Sequence, residues 1–151
     1  HYLMPQKCLG SITGAIFLTV LAVGLILQPR YVLGGALTTV SKENAEHYQW
    51  GEQCDGWHLV KSKNLSVIQE RVPPGCSEVR HLHKESEQFF FVLSGCATLE
   101  VNGETFELKE NHGFHVPNNT PHQLSNRSQT DLHFVVTSAP PSHDDRFEVR
   151  A

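Results

Sequence analysis

At 151 residues with 39% apolar content, the chain can bury one substantial core, and with an apolar N-terminal stretch set aside roughly one domain of ordinary size remains. The formal net charge is -4 and the charged residues are mixed along the chain, so the basic patch that a phosphate backbone requires is missing and nucleic acid is excluded as a partner. Cys8, Cys54, Cys76 and Cys96 show no Cys-x-x-Cys pairing, which argues against a zinc knuckle or disulfide framework and favours a reducing, cytoplasmic setting for the folded part.

Residues 8–29, between Lys7 and Arg30, carry no charge, and Ile12 to Leu27 is almost wholly apolar. That is long enough to span a bilayer. Segment 1–36 is therefore expected to be helical, with three readings open: a membrane anchor acting through 8–29, a secretory signal with a poor cleavage site at Gly34-Gly35-Ala36, or non-native sequence ahead of the domain. Gly34-Gly35 ends it, and a second unit is expected over 40–149.

Glu43 to His47 reads as a helical turn of little consequence. Beyond it, short strands separated by turn signals are predicted at Trp57–Val60, Leu65–Val72, Val79–His83, Gln88–Leu93, Ala97–Val101, Thr105–Leu108, Phe114–Val116, His122–Ser125 and Leu132–Thr137. Turns fall at Pro73-Pro74-Gly75, Ser94-Gly95, Asn102-Gly103 and Pro117-Asn118-Asn119. Asn102-Gly103 is the strongest hairpin signal, since both central residues of a type I′ turn need positive φ. Many short, evenly spaced strands predict an all-β sandwich, jelly roll or small barrel, whose open edges favour a homodimer.

His81 and His83 sit one residue apart, so on a strand both rings project from one face, and His122 follows about forty residues later. Imidazole nitrogen is the commonest protein ligand for mid-row divalent metals, so the three read as ligands of one ion. A histidine alone on a strand is more often a surface or hydrogen-bonded residue, which suits His47, His112, His133 and His143.

Gly75, five residues, His81-Leu82-His83, an acidic or amide position and then Val92-Leu93-Ser94-Gly95 resemble the first motif of the cupins. Pro117, Asn119, His122 and Asn126 resemble the second. The resemblance implies a double-stranded β-helix, or jelly-roll barrel, with one divalent transition metal (Fe, Mn, Ni, Cu or Zn) near its mouth. Two histidines and an acidic residue of the first motif and the histidine of the second would hold it.

The chain departs from that pattern in one place that bears on chemistry. Counting back from Gly95, the position of the family's usual glutamate is Gln88, with Glu87 one residue early. Alternation on a strand lets only one of them face inward. Gln88 is expected inside as the fourth metal ligand, giving a site one unit more positive than a His₃Glu site and better suited to an anionic substrate. Glu87 is the nearest candidate for a catalytic general base, if the register brings it inside. Phe90 shares the face of Gln88 and is a candidate contact for substrate. Asn119 and Asn111 replace glycines of the second motif, a tolerable change because asparagine accepts the left-handed region.

The resulting expectation is a mononuclear metal-binding cupin acting on a small organic molecule, through dioxygenase-like or isomerase-like chemistry. The alternative is a non-catalytic module that binds a small molecule. A metal-free epimerase, with a histidine base beside an aspartate and a tyrosine acid, fits poorly because Tyr31 and Tyr48 are placed outside the barrel strands.

Overall fold

The computed structural model describes residues 37–150. The hydrophobic segment read over 1–36, with its proposed anchor at 8–29, lies outside the described residues. Among the described residues no helix is long and apolar enough to cross a membrane.

Among the described residues, eleven strands run in the order β1 (Glu46–Trp50), β2 (Cys54–Lys61), β3 (Ser66–Val72), β4 (His81–Leu82), β5 (Glu87–Ser94), β6 (Ala97–Val101), β7 (Glu104–Leu108), β8 (Gly113–Val116), β9 (His122–Ser125), β10 (Leu132–Ala139) and β11 (Phe147–Glu148). They form two antiparallel sheets, ordered β1-β2-β3-β10-β5-β8 and β11-β4-β9-β6-β7. The chain alternates between sheets, so that each encloses the core against the other, as the predicted jelly roll requires.

Side-chain alternation sets which face is buried. Along β10 burial alternates without a break: Leu132, Phe134, Val136 and Ser138 point inward while their neighbours face the other way. On β5 the inward residues are Gln88, Phe90 and Val92. Leu99, Leu124 and Ala97 from the second sheet complete the same cluster.

The turns follow their chemistry. Asn102 and Gly103 take φ of 52° and 87° between β6 and β7, the paired positive values of a type I′ hairpin. Gly95 has φ of 85°, and a Cβ there would lie 2.6 Å from the Asp131 carbonyl oxygen, so the position rejects a side chain on two counts. Asn111 and Asn119 take φ of 64° and 55°, the left-handed conformation expected of them. Asn126, 1% exposed, donates to the Val72 and Thr130 carbonyls, each at 2.8 Å, and accepts from the Ser128 hydroxyl. It thereby joins the end of β3 to the turn before β10.

Three elements differ from expectation, the first being β11, which lies beyond the last predicted strand and pairs with β4. The turn at Ser41–Ala45 forms, but His47 continues into strand β1, whose alternation is muted because it is an exposed edge paired only with β2. The strand predicted at Val79–His83 contracts to His81–Leu82, since Ser77 and Glu78 bond to the end of β9 instead and only His81 pairs with His122. Tyr48 is the resulting correction: it lies within β1, and its hydroxyl donates to Glu70 at 2.9 Å.

Candidate metal centre

His81 ends up opposite His122 because β4 and β9 are neighbours in register. The loop ahead of β9 fastens the two motifs together: the Asn119 amide N–H donates to the His83 carbonyl at 2.6 Å, and the Asn118 side chain donates to the Lys84 carbonyl at 3.0 Å. The left-handed Asn119 thus turns the backbone so that the second motif docks on the first.

His81, His83 and His122 are 1%, 4% and 1% exposed. Their rings cluster, with centroids 4.9 Å apart for His81 and His83, 4.4 Å for His81 and His122 and 5.7 Å for His83 and His122. One ligand atom from each lies within 4.8 Å of the others.

Each Nδ1 faces a backbone carbonyl: His81 that of Val79 at 2.8 Å, His83 that of Asp145 at 2.7 Å, His122 that of Thr120 at 2.8 Å. A carbonyl only accepts, so each Nδ1 carries the proton and each Nε2 presents its lone pair to the centre. Burial pushes the His81 imidazolium down to about 3 and that of His122 to about 4, and lowers His83 as well. The rings are neutral at pH 7, the form that ligates metal.

These residues fit a divalent transition metal. The His83 Nε2 is buried and has no hydrogen-bond partner, a costly arrangement for a polar atom unless something else takes its lone pair. Fixed tautomers with the outer nitrogen on a carbonyl are also the usual support of metal-bound histidine.

Gln88 faces the same centre, 7% exposed, with its Oε1 at 3.0 Å from His122 Nε2 and its Nε2 donating to the Ser138 hydroxyl at 3.1 Å. Oε1 and an unprotonated Nε2 are both acceptors. A rotated amide or a cation shared by the two lone pairs resolves the conflict. Glu87 lies on the opposite face, exposed, with its carboxylate 2.7 Å from His115 Nε2, so it does not join the histidines. Phe90 is 2% exposed; its ring packs 5.9 Å from His122 and 5.9 Å from Phe134, beneath the histidines rather than on the cavity wall.

A cavity of about 980 Å³ opens beside His83, bordered by Tyr48, His58, Ile68, Ser142 and Arg146. Its far side is a strap, residues 140–146, that crosses from the end of β10 to β11. Asp145 fastens the strap: its carboxylate accepts from the backbone N–H of Lys84 at 3.0 Å, Glu85 at 2.8 Å and Ser86 at 2.9 Å. Burial opposes that charge, but the three N–H groups outweigh it and hold the carboxyl below its ordinary range. The adjacent Arg146 donates from Nη1 to His81 Nε2 at 3.3 Å and from Nη2 to the Val79 carbonyl at 3.1 Å.

No motif marked Asp145 or Arg146. They lie some sixty residues from His83 and His81 in sequence, beyond the last predicted strand. Arg71 and Arg80 are held in ion pairs, with Asp55 at 2.6 Å and Glu100 at 2.8 Å, away from the centre. The requirement of the epimerase reading for a histidine with an adjacent aspartate carboxylate is not met by the three clustered rings, whose Nδ1 atoms all meet backbone.

A cupin-domain family model matches residues 68–138. An uncharacterised protein of Methanocaldococcus jannaschii is 30% identical over 89 residues, covering 58% of this chain and 71% of that protein. Among solved structures, KdgF from Halomonas superposes with a TM-score of 0.65 at 17% identity, covering 71% of this chain and 96% of that one. A Thermotoga maritima protein described as a predicted oxalate decarboxylase gives 0.64 at 18% identity, covering 69% and 100%. At such identities the two structures speak for the fold alone. Taken with the two histidine motifs and the two-sheet barrel that carries them, the family match and the archaeal relative show that this chain belongs to the cupins.

Proposed function

We propose that His81, His83 and His122 hold one divalent transition metal, with Gln88 as a fourth ligand, and that the adjoining cavity receives a small organic molecule. The observation that carries this reading is the buried, unpartnered Nε2 of His83, which faces the same centre as two other imidazoles of fixed tautomer. Bound there, a metal of this class polarises an oxygen of its substrate, or supports dioxygen chemistry if it is redox-active. The chain's own part is to hold the rings through Val79, Asp145 and Thr120 and to border the cavity with Tyr48, Ile68 and the strap. Dioxygenase-like and isomerase-like turnover both suit such a site. The position of Glu87, outside the cavity, favours chemistry that takes no proton to a carboxylate at that position, and equally the non-catalytic binding module. An oxygen-uptake screen with catechols, flavonols and β-diketones detects dioxygenase-like turnover, and product analysis of the same mixtures separates isomerase-like turnover from binding alone.

Metal content tests the site itself. Elemental mass spectrometry of the purified full chain should find close to one first-row metal per chain, and exhaustive chelation should lower the melting temperature by several degrees, restored by Mn²⁺, Co²⁺ or Zn²⁺. Trace metal, with a melting temperature indifferent to chelator and to added ions, would refute the proposal.

Gln88→Glu tests the fourth position. A carboxylate in place of the amide adds one negative charge beside the ion, so metal affinity should rise by about tenfold or more, read by competition with a chromogenic chelator. Unchanged affinity would remove Gln88 from the ligand set.

A further inference from the structure

We infer that the cavity beside the three histidines is built for a small carboxylate, with Arg146 as the residue that receives its charge. The inference rests on the metal reading above and names the substrate class of that site.

Charge supplies the first reason. Ligating imidazoles are neutral and Gln88 is neutral, so a divalent ion here keeps its full charge, where the family's usual glutamate would cancel one unit. Arg146 adds a further positive charge beside His81. Among the described residues no carboxylate oxygen lies within ion-pairing distance of its guanidinium, which borders the cavity. The half-buried Glu78 and the buried Glu70 share a smaller neighbouring cavity with it, and burial raises both of those carboxyls, Glu70 to about 8, against the pull of Arg146. The nearest acid in sequence, Asp145, is committed to three backbone N–H groups.

Geometry supplies the second. His81 Nε2 has one lone pair, so ligation of a metal there releases the Nη1 hydrogen bond and leaves that edge of the guanidinium free. The bond from Nη2 to the Val79 carbonyl, and the Asp145 fastening next to it, still hold Arg146 at the cavity edge. A planar carboxylate can then meet the guanidinium while a neighbouring oxygen of the same molecule faces the ion. The rest of the rim carries no surplus positive charge: Lys61 is paired with Glu46 at 3.0 Å, and the rim sets Lys63 alongside two acids, Glu85 and Asp144. That balance suits a monoanion better than a phosphate dianion.

The test uses the full chain loaded with Co²⁺, whose visible absorption reports on its ligands, titrated with pyruvate, with methyl pyruvate and with inorganic phosphate. Pyruvate should shift the spectrum saturably and methyl pyruvate should not. Arg146→Gln should keep the cobalt spectrum while weakening pyruvate by about tenfold or more, as expected for loss of a charge-assisted pair. If Arg146→Gln binds cobalt and pyruvate as the unmodified chain does, or if phosphate binds more tightly than pyruvate, the inference falls while the metal site stands. Failure of the unmodified chain to take up cobalt would overturn both.

Discussion

A His122→Ala variant is expected to lose its metal while keeping its fold. Occupancy should drop from near one ion per chain to trace levels, with affinity lower by at least about a hundredfold, since even supporting groups around a metal are worth 10–100-fold. His122 matters doubly because it starts β9 directly opposite His81 and its Nε2 adjoins the Gln88 amide. Removing it takes away one ligand and loosens the setting of another. The variant should nonetheless fold, because β9 keeps its pairing with β6 from Thr98 to Val101 and Leu124 remains in the core. Elemental analysis beside circular dichroism separates the two effects. Full occupancy in a folded variant would remove His122 from the site.

Phe90→Ala is expected to be the more damaging change to the protein as a whole. Phe90 is 2% exposed, pairs in register with Val136 and Phe114 on the neighbouring strands, and packs against Phe134. Truncating a buried phenylalanine leaves a cavity and typically costs about 3–5 kcal/mol, a large part of the stability of a domain of this size. Urea denaturation should show the loss as a lower midpoint. Because the ring also lies edge-on beneath His122, metal retention should weaken too, and Phe90→Leu should recover most of both losses. A loss of small-molecule binding with unchanged stability would instead restore Phe90 as a substrate contact.

The strands of the two sheets were mostly legible because short runs rich in β-branched and aromatic residues are set off by turn signals. Leu132 to Thr137 and Gln88 to Leu93 are such runs, and both became central strands, in which burial alternates although residue type does not. Edge strand β1 was not legible, since Glu46, His47 and Gln49 give an exposed edge no hydrophobic alternation. Tyr48 was misplaced for the same reason. The three histidines could be named because two sit at strand spacing and the third lies in a motif of fixed spacing. Gln88 could be oriented because its distance to the turn at Ser94-Gly95 is the usual one in the motif the chain resembles; the structure adds the reason that turn stays in place, the left-handed backbone of Gly95 and its close approach to Asp131.

The sequence by itself determined an all-β barrel, the candidate histidines, the missing charge at position 88 and the turns that asparagine and glycine make. The all-β class, the paired histidines and the turns follow from local rules of strand spacing, allowed φ and residue chemistry, while the barrel and the missing charge at position 88 are read against the cupin motifs the chain resembles. Only the tertiary structure decided which nitrogen of each ring faces the centre, that Glu87 faces outward to His115, and that a strap brings Asp145 and Arg146 to histidines some sixty residues away. Those contacts are made between segments that share no local pattern. Long-range sheet pairing brings β4, β9 and β11 side by side, and no period along the chain encodes that neighbourhood.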